Sequence, residues 1–329
     1  VAVDANLAVQ AEYAVQFDTH LPEFKTQGGV HRNVDGLTVT SPPLMWVAAL
    51  DLLLARMQKE KFPFANLVSI SGSGQQHGSV YLAPGTRQVL QRLQAGAPLR
   101  DQLGTVFAIK DSPIWMDSST TAQCRERESA MGGAQAVAEL TGSRAYERFT
   151  GNQIAKIAKR HPGAYQQCER ISLVSSFIAS LFLGDYAPID FSDGSGMNLM
   201  NIRTKQWDPR ALEVTAPSLG QRLGVLVASH TVLGKVNAYF SRRYGIPAQC
   251  LVIAFSGDNP NSLAALRLKQ AGEVAISLGT SDTVFGSLSA PKPSAEAPGS
   301  IWRTYGAPSW WPAINSVMAP LAFFTSAGV

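Results

Sequence analysis

The chain has 329 residues, of which 45% are hydrophobic and 16% charged, and 28 Lys and Arg face 24 Asp and Glu for a net charge of +4. A charged fraction this far below the roughly 25% of an average globular chain excludes intrinsic disorder and a polybasic tail. Nucleic acid is not an expected partner, because no basic run concentrates the small surplus. The densest cluster, Lys156, Lys159, Arg160 and His161, is expected to form a solvated helix face. The length exceeds what one core usually organises, so two domains are expected.

Cys124, Cys168 and Cys250 are odd in number and far apart, with neither metal-ligand spacing nor disulfide density. That usage favours a reducing, cytoplasmic compartment. The longest apolar run, 173–183, falls short of the about twenty residues that cross a bilayer and reads as a buried core helix. No membrane association is expected. Val1-Ala2-Val3-Asp4 carries no initiator Met and no signal-like stretch, so the chain is expected to begin inside a longer protein.

In chain order, 1–17 alternates apolar and polar residues and predicts two short strands, with Ala8-Val9 and Val15 to Phe17 in β-rich stretches. Residues 25–33 form a loop. Ser41-Pro42-Pro43 predicts a helix start with Ser41 at the N-cap, followed by Leu44, Val47, Leu50, Leu54 and Met57 at helical spacing. Leu67 to Ile70 reads as a short buried strand running into Ser71-Gly72-Ser73-Gly74. Leu251 to Phe255 is the clearest strand and leads through Ser256-Gly257-Asp258-Asn259-Pro260 to a helix expected over 262–268. Residues 274–285 read as strand, tight turn, strand. Helix-then-strand order recurring along the chain predicts α/β layering. From about Ser287 the composition turns to Pro and Trp with no periodicity, so a new unit is expected there, too short to complete a domain.

Several common catalytic signatures are absent. Gly72-Ser73-Gly74 lacks the third glycine of a dinucleotide fingerprint, and there is no Gly-x-Ser-x-Gly, no GxxxxGK[ST] and no His-x-x-x-His. Four constellations remain, each open to a plain structural reading. Gln75-Gln76-His77-Gly78 offers amide and imidazole groups to a polyol, or is a polar turn. Asp258-Asn259 after an apolar strand suits a general base and its orienting amide, or an ordinary N-cap. Residues 277–283, rich in hydroxyls, can cradle a phosphate or simply close a hairpin. Trp115-Met116-Asp117 and the pair Arg144 and Arg148 can line a cleft, or act as core anchor and surface ion pairs.

The order of these strings carries more than any one of them. Ser71-Gly72-Ser73-Gly74-Gln75-Gln76-His77-Gly78, Trp115-Met116-Asp117, Gly257-Asp258-Asn259 and 277–283 resemble, in this sequence, the carbohydrate kinases of the FGGY family. The likeness is closest to eukaryotic, animal-type members acting on D-xylulose, also through 117–124, 140–157 and Asp193-Gly194-Ser195-Gly196-Met197-Asn198. It extends over about residues 1–286.

The resemblance implies an α/β fold of the actin-like, ribonuclease H-like type, with a sugar-binding domain over 1–268 and the start of a nucleotide domain over 269–329. It implies ATP-dependent phosphorylation of D-xylulose, with Asp258 as catalytic base. His77, Arg148, Asp258, Asn259, Gln76, Trp115 and Asp117 would bind the sugar, and Gly279, Thr280 and Ser281 would hold phosphate. ATP and Mg2+ are the implied cofactors. It also places a first phosphate loop before Val1 and calls for an adenine-binding region that the tail from about 287, unrelated to the family, does not resemble, so the chain is expected to be incomplete at both ends. A related polyol kinase and a sugar-binding protein without turnover are the alternatives.

Overall fold

The computed structural model describes residues 1–268, 270–278, 283–296, 299–302 and 313–317. Helices and short strands alternate through most of it. The largest core gathers Met45, Val47 and Leu54 of the Pro43–Lys59 helix, Phe177 and Leu181 of Val174–Leu183, and Tyr239 and Phe240 of Ala238–Tyr244. A second core joins Ile154 and Ile157 to Ile171, Leu199 and Leu219. The 173–183 run is thus a core helix, as its continuous apolar character predicts. Among the described residues no helix is long and apolar enough to cross a membrane.

Two parallel strand segments organise the centre. Leu251–Ile253 lies between Val232–Lys235, antiparallel, and Ser69–Ile70, parallel, with Leu251 opposite Ser69. A few residues on, Ser256–Gly257 pairs in parallel with Ser73–Gly74. Both chains therefore run side by side and end together, delivering 75–78 and 258–259 to one place. The approach is close: a Cβ on Gly74 would sit 2.5 Å from the Ser175 main-chain nitrogen, so only glycine fits there.

Several elements depart from expectation. Strands form at Ala2–Val3 and Val9–Ala11, but Phe17 opens a short helix, Phe17–His20, whose N-cap Gln16 accepts from the Thr19 N–H. The helix after Ser41 starts at Pro43 with Pro42 at its N-cap; Ser41 ends the Val39–Ser41 strand and donates to the Gly29 carbonyl at 2.8 Å. Ser69–Ile70 lies at a sheet edge and is not buried; Val68 beside it is 76% exposed. An edge strand has a neighbour on one side only, which leaves its other flank to solvent. The helix expected over 262–268 spans Asp258–Leu266, starting four residues earlier because Gly257 already serves as its N-cap.

The hairpin expected over 274–285 is present as Val274–Ser277 paired with Thr283–Leu288, Val274 opposite Gly286. Residues beyond 287 extend the same sheet, which reads Val274–Ser277, Thr283–Leu288, Ala313–Val317, Gly299–Trp302, antiparallel throughout. Period-2 patterning over strands this short was too weak to foresee. Cys124, Cys168 and Cys250 are buried and unbridged.

Candidate active site

Gln76 and Asp258, brought together by the parallel strands, are directly linked. The Gln76 N–H donates to Asp258 Oδ1 at 3.0 Å, the Asn259 N–H donates to the same oxygen at 2.8 Å, and Asn259 Nδ2 donates to Gln76 Oε1 at 3.1 Å. Asp258 occupies the first turn of its helix, where the positive end of the dipole favours a carboxylate. Its second oxygen, Oδ2, has no partner among the described residues. Much of the side chain is open to solvent, yet the protein walls around the carboxyl withdraw enough water to raise its pKa, against the pull of the two N–H donors. A raised carboxylate with one free lone-pair face is suited to accept a proton.

His77 is buried and held at φ +70°, in the left-handed region that a ring-bearing residue rarely enters. Thr150 Oγ1 pins its carbonyl at 3.0 Å, and Phe149 lies against its ring with centroids 5.0 Å apart. Neither ring nitrogen makes a sound hydrogen bond, although the Gly196 backbone lies close by. Burial, with the positive charge of Arg148 adding to it, pushes the imidazole down to about 3. His77 is therefore neutral at physiological pH, with one nitrogen donating and one accepting.

Arg148 stacks over Trp115, its Cζ 5.5 Å from the ring centroid. Its Nε is buried without a partner, and so is Gln76 Nε2. Buried polar groups are nearly always hydrogen-bonded, so the orphaned nitrogens of Gln76, which is tied to Asp258, of His77, and of Arg148, whose charge acts on His77, point to a polar ligand. A cavity of about 310 Å³ lined by Thr121, Glu128, Arg144 and Tyr146 contains none of these groups. Arg144 pairs with Glu128 at 3.2 Å and donates to the Ala295 carbonyl at 3.0 Å, which is the surface role.

Asp117 and Lys156 both correct the sequence reading. Asp117, expected among the sugar ligands, is fully buried. Its oxygens accept from the Val39 N–H, the Ser119 N–H and hydroxyl, Gln153 Nε2 and Lys156 Nζ, the last at 2.8 Å. No lone pair is left to face the His77 group. Lys156, expected on a solvated face, is 6% exposed at its side chain, because Gln153 and Lys156 lie three residues apart on the side of Thr150–Arg160 that meets Asp117. Lys159 pairs with Glu126 at the surface, as a solvated face implies.

Asp193 was missed as a chemical group. Its Oδ2 accepts from Ser175 Oγ at 2.5 Å, and its Oδ1 is buried without a partner. Burial foremost, then the charges of Asp190 and Asp258, raises its pKa well above the ordinary value. Asp190 caps the Phe191–Ser195 helix and also accepts from Ser229 and Ser256. A Ser-Asp-Gly-Ser string holds no spacing signal for this; only the fold sets Asp193 against Gly257. Gly279, Thr280 and Ser281 lie outside the described residues.

Residues 108–265 match the N-terminal domain of the FGGY family of carbohydrate kinases. The xylulose kinase of Mus musculus is 58% identical over 296 residues, covering 90% of this chain and 54% of its own length. Xylulose kinase 2 of Arabidopsis thaliana is 51% identical over 296 residues, covering 89% and 53%. Among solved structures, a xyloylose kinase from Brucella ovis superposes with a TM-score of 0.70 at 19% identity, covering 87% of this chain and 53% of that one. Plasmodium falciparum glycerol kinase with ADP gives 0.67 at 14%, covering 87% and 53%. The chain belongs to the FGGY family of carbohydrate kinases, and its α/β fold is the actin-like, ribonuclease H-like architecture of those enzymes. It spans about half the length of the curated relatives it matches.

Proposed function

We propose that this chain carries the sugar-binding half of a cytoplasmic kinase that transfers the γ-phosphoryl group of ATP to D-xylulose. The observation that supports it best is the unfilled hydrogen-bonding capacity of Gln76, His77 and Arg148, with Gln76 tied directly to Asp258. A small polyhydroxy ketone has hydroxyls and a carbonyl to match neutral imidazole, amide and guanidinium together. The relatives named xylulose kinase favour that sugar over other ketoses.

In this reading His77, Gln76, Asn259, Arg148 and the Trp115 face hold the sugar with its 5-hydroxyl towards Asp258. Asp258 takes the hydroxyl proton as the oxygen attacks the γ-phosphorus in line, and the bond from that phosphorus to the ADP oxygen breaks. Such transfers need chiefly positioning and charge neutralisation, with one carboxylate at the nucleophile. Gly279, Thr280 and Ser281 would cradle phosphate through their N–H groups. The described residues contain no group of three His, Cys, Asp or Glu placed to hold a metal. Mg2+ therefore does not fit them as a protein-caged ion, and its place is with the nucleotide phosphates.

The test is ADP release by the 329-residue chain given Mg-ATP with and without D-xylulose, beside calorimetric titration of the sugar alone. Release that depends on the sugar supports the full reading. Sugar binding without release confines this chain to recognition. A folded chain that binds no D-xylulose overturns the proposal.

A further inference from the structure

Arg148 poses a problem of position. Among the described residues it has no carboxylate partner, and its Nε is buried and unbonded. A long side chain with so few ties has rotamer freedom to lose when it meets a ligand. What holds it is the Trp115 ring on one side and its own backbone on the other. Both trace to the same buried network. Asp117 follows Trp115 by two residues, and Glu147 precedes Arg148. Gln153 Nε2 spans the two loops, donating to the Asp117 carbonyl and Oδ1 at 2.9 Å each and to the Glu147 carbonyl at 3.1 Å. Thr120 Oγ1 also donates to the Glu147 carbonyl, at 2.5 Å. Lys156 Nζ closes the network on Asp117 Oδ2 and Ser119 Oγ, both at 2.8 Å.

We infer that Asp117, Gln153 and Lys156 are positioning residues that clamp the Trp115 and Arg148 loops to the Thr150–Arg160 helix, so that Arg148 is held over Trp115 and pre-organised for the sugar. The inference rests on the sugar-kinase reading for the identity of that ligand. A guanidinium fork gains its specificity from fixed orientation, so a device that fixes it acts on affinity without touching substrate.

Gln153→Met removes the bridge without stranding a charge. In the full 329-residue chain it is expected to weaken D-xylulose binding about tenfold, the factor for 1.4 kcal/mol. It is also expected to shift the Trp115 emission, isolated by difference against Trp115→Phe. Leu223→Ala, in the second core, is the control: it lowers Tm and leaves both readouts in place. A Gln153→Met chain that loses Tm but keeps wild-type affinity and Trp115 emission overturns the inference. Should the wild-type chain bind no D-xylulose, the kinase reading fails by itself. The clamp is then judged on Trp115 emission alone, a shift supporting it and none refuting it.

Discussion

Replacing Lys156 by Met is the sharpest test of the buried pair. The two partners are shifted by unequal balances: donors led by Lys156 hold the Asp117 carboxyl below its ordinary range despite burial, whereas burial outweighs Asp117 and lowers the Lys156 ammonium. Attraction thus does not fully repay the desolvation of Lys156, and the intact pair is worth little against an apolar replacement of both. Breaking it from one side is different. With side-chain exposures of 6% and 0%, loss of Lys156 leaves a buried carboxylate uncompensated, at a cost of about 3–5 kcal/mol. The remaining N–H and hydroxyl donors to Asp117 hold that figure towards the lower end.

The sign with pH follows. In the wild type, the depressed Asp117 pKa contributes stability that is present above the unfolded value and lost as pH falls through the folded one. In Lys156→Met that pKa is raised, so Asp117 takes up a proton in the folded state and the deficit shrinks as pH falls from 7.5 to 5. Urea unfolding at both pH values measures it, and Asp117→Asn combined with Lys156→Met is expected to recover most of the loss. A deficit below about 1 kcal/mol at pH 7.5, the range of exposed pairs, refutes the reasoning and restores Lys156 to a solvated face.

Asp258→Asn is expected to abolish sugar-dependent ADP release while D-xylulose affinity stays within about tenfold, since a base acts chiefly in the transition state; near-wild-type turnover removes Asp258 from that role. His77, lowered from 6.5 to about 3, makes folding less favourable by up to about 1.4 kcal/mol per pH unit below 6.5, because only the unfolded chain takes the proton. His77→Gln should flatten that slope between pH 6.5 and 4.5 in denaturation curves, and an unaltered slope shows that the imidazole protonates in the folded protein. Gly74→Ala should cost roughly 1–3 kcal/mol in thermal or urea unfolding through contact with the Ser175 backbone, and a neutral result shows that the strands can part.

Local pattern carried part of the fold into the sequence. The Pro43–Lys59 and Val174–Leu183 helices, the Leu251–Ile253 strand and the Val274–Ser277 hairpin were legible because each records its own period and its own apolar face. The composition of the Gln76-His77 and Asp258-Asn259 strings, and their order along the chain, marked the candidate site. Which segments meet is another matter. Pairing of Ser73–Gly74 with Ser256–Gly257 joins strings 183 residues apart, and each is too short to name its partner. The same holds for charge. Lys156 and Asp117 read as a surface cation and a cleft carboxylate until the Thr150–Arg160 helix packs one on the other. The Asp193 carboxyl is pushed up only because the fold buries it, beside Asp190 and against Gly257. Residue type and spacing determine what a side chain can do, but burial and opposing charge decide what it does, and those are properties of the packed whole.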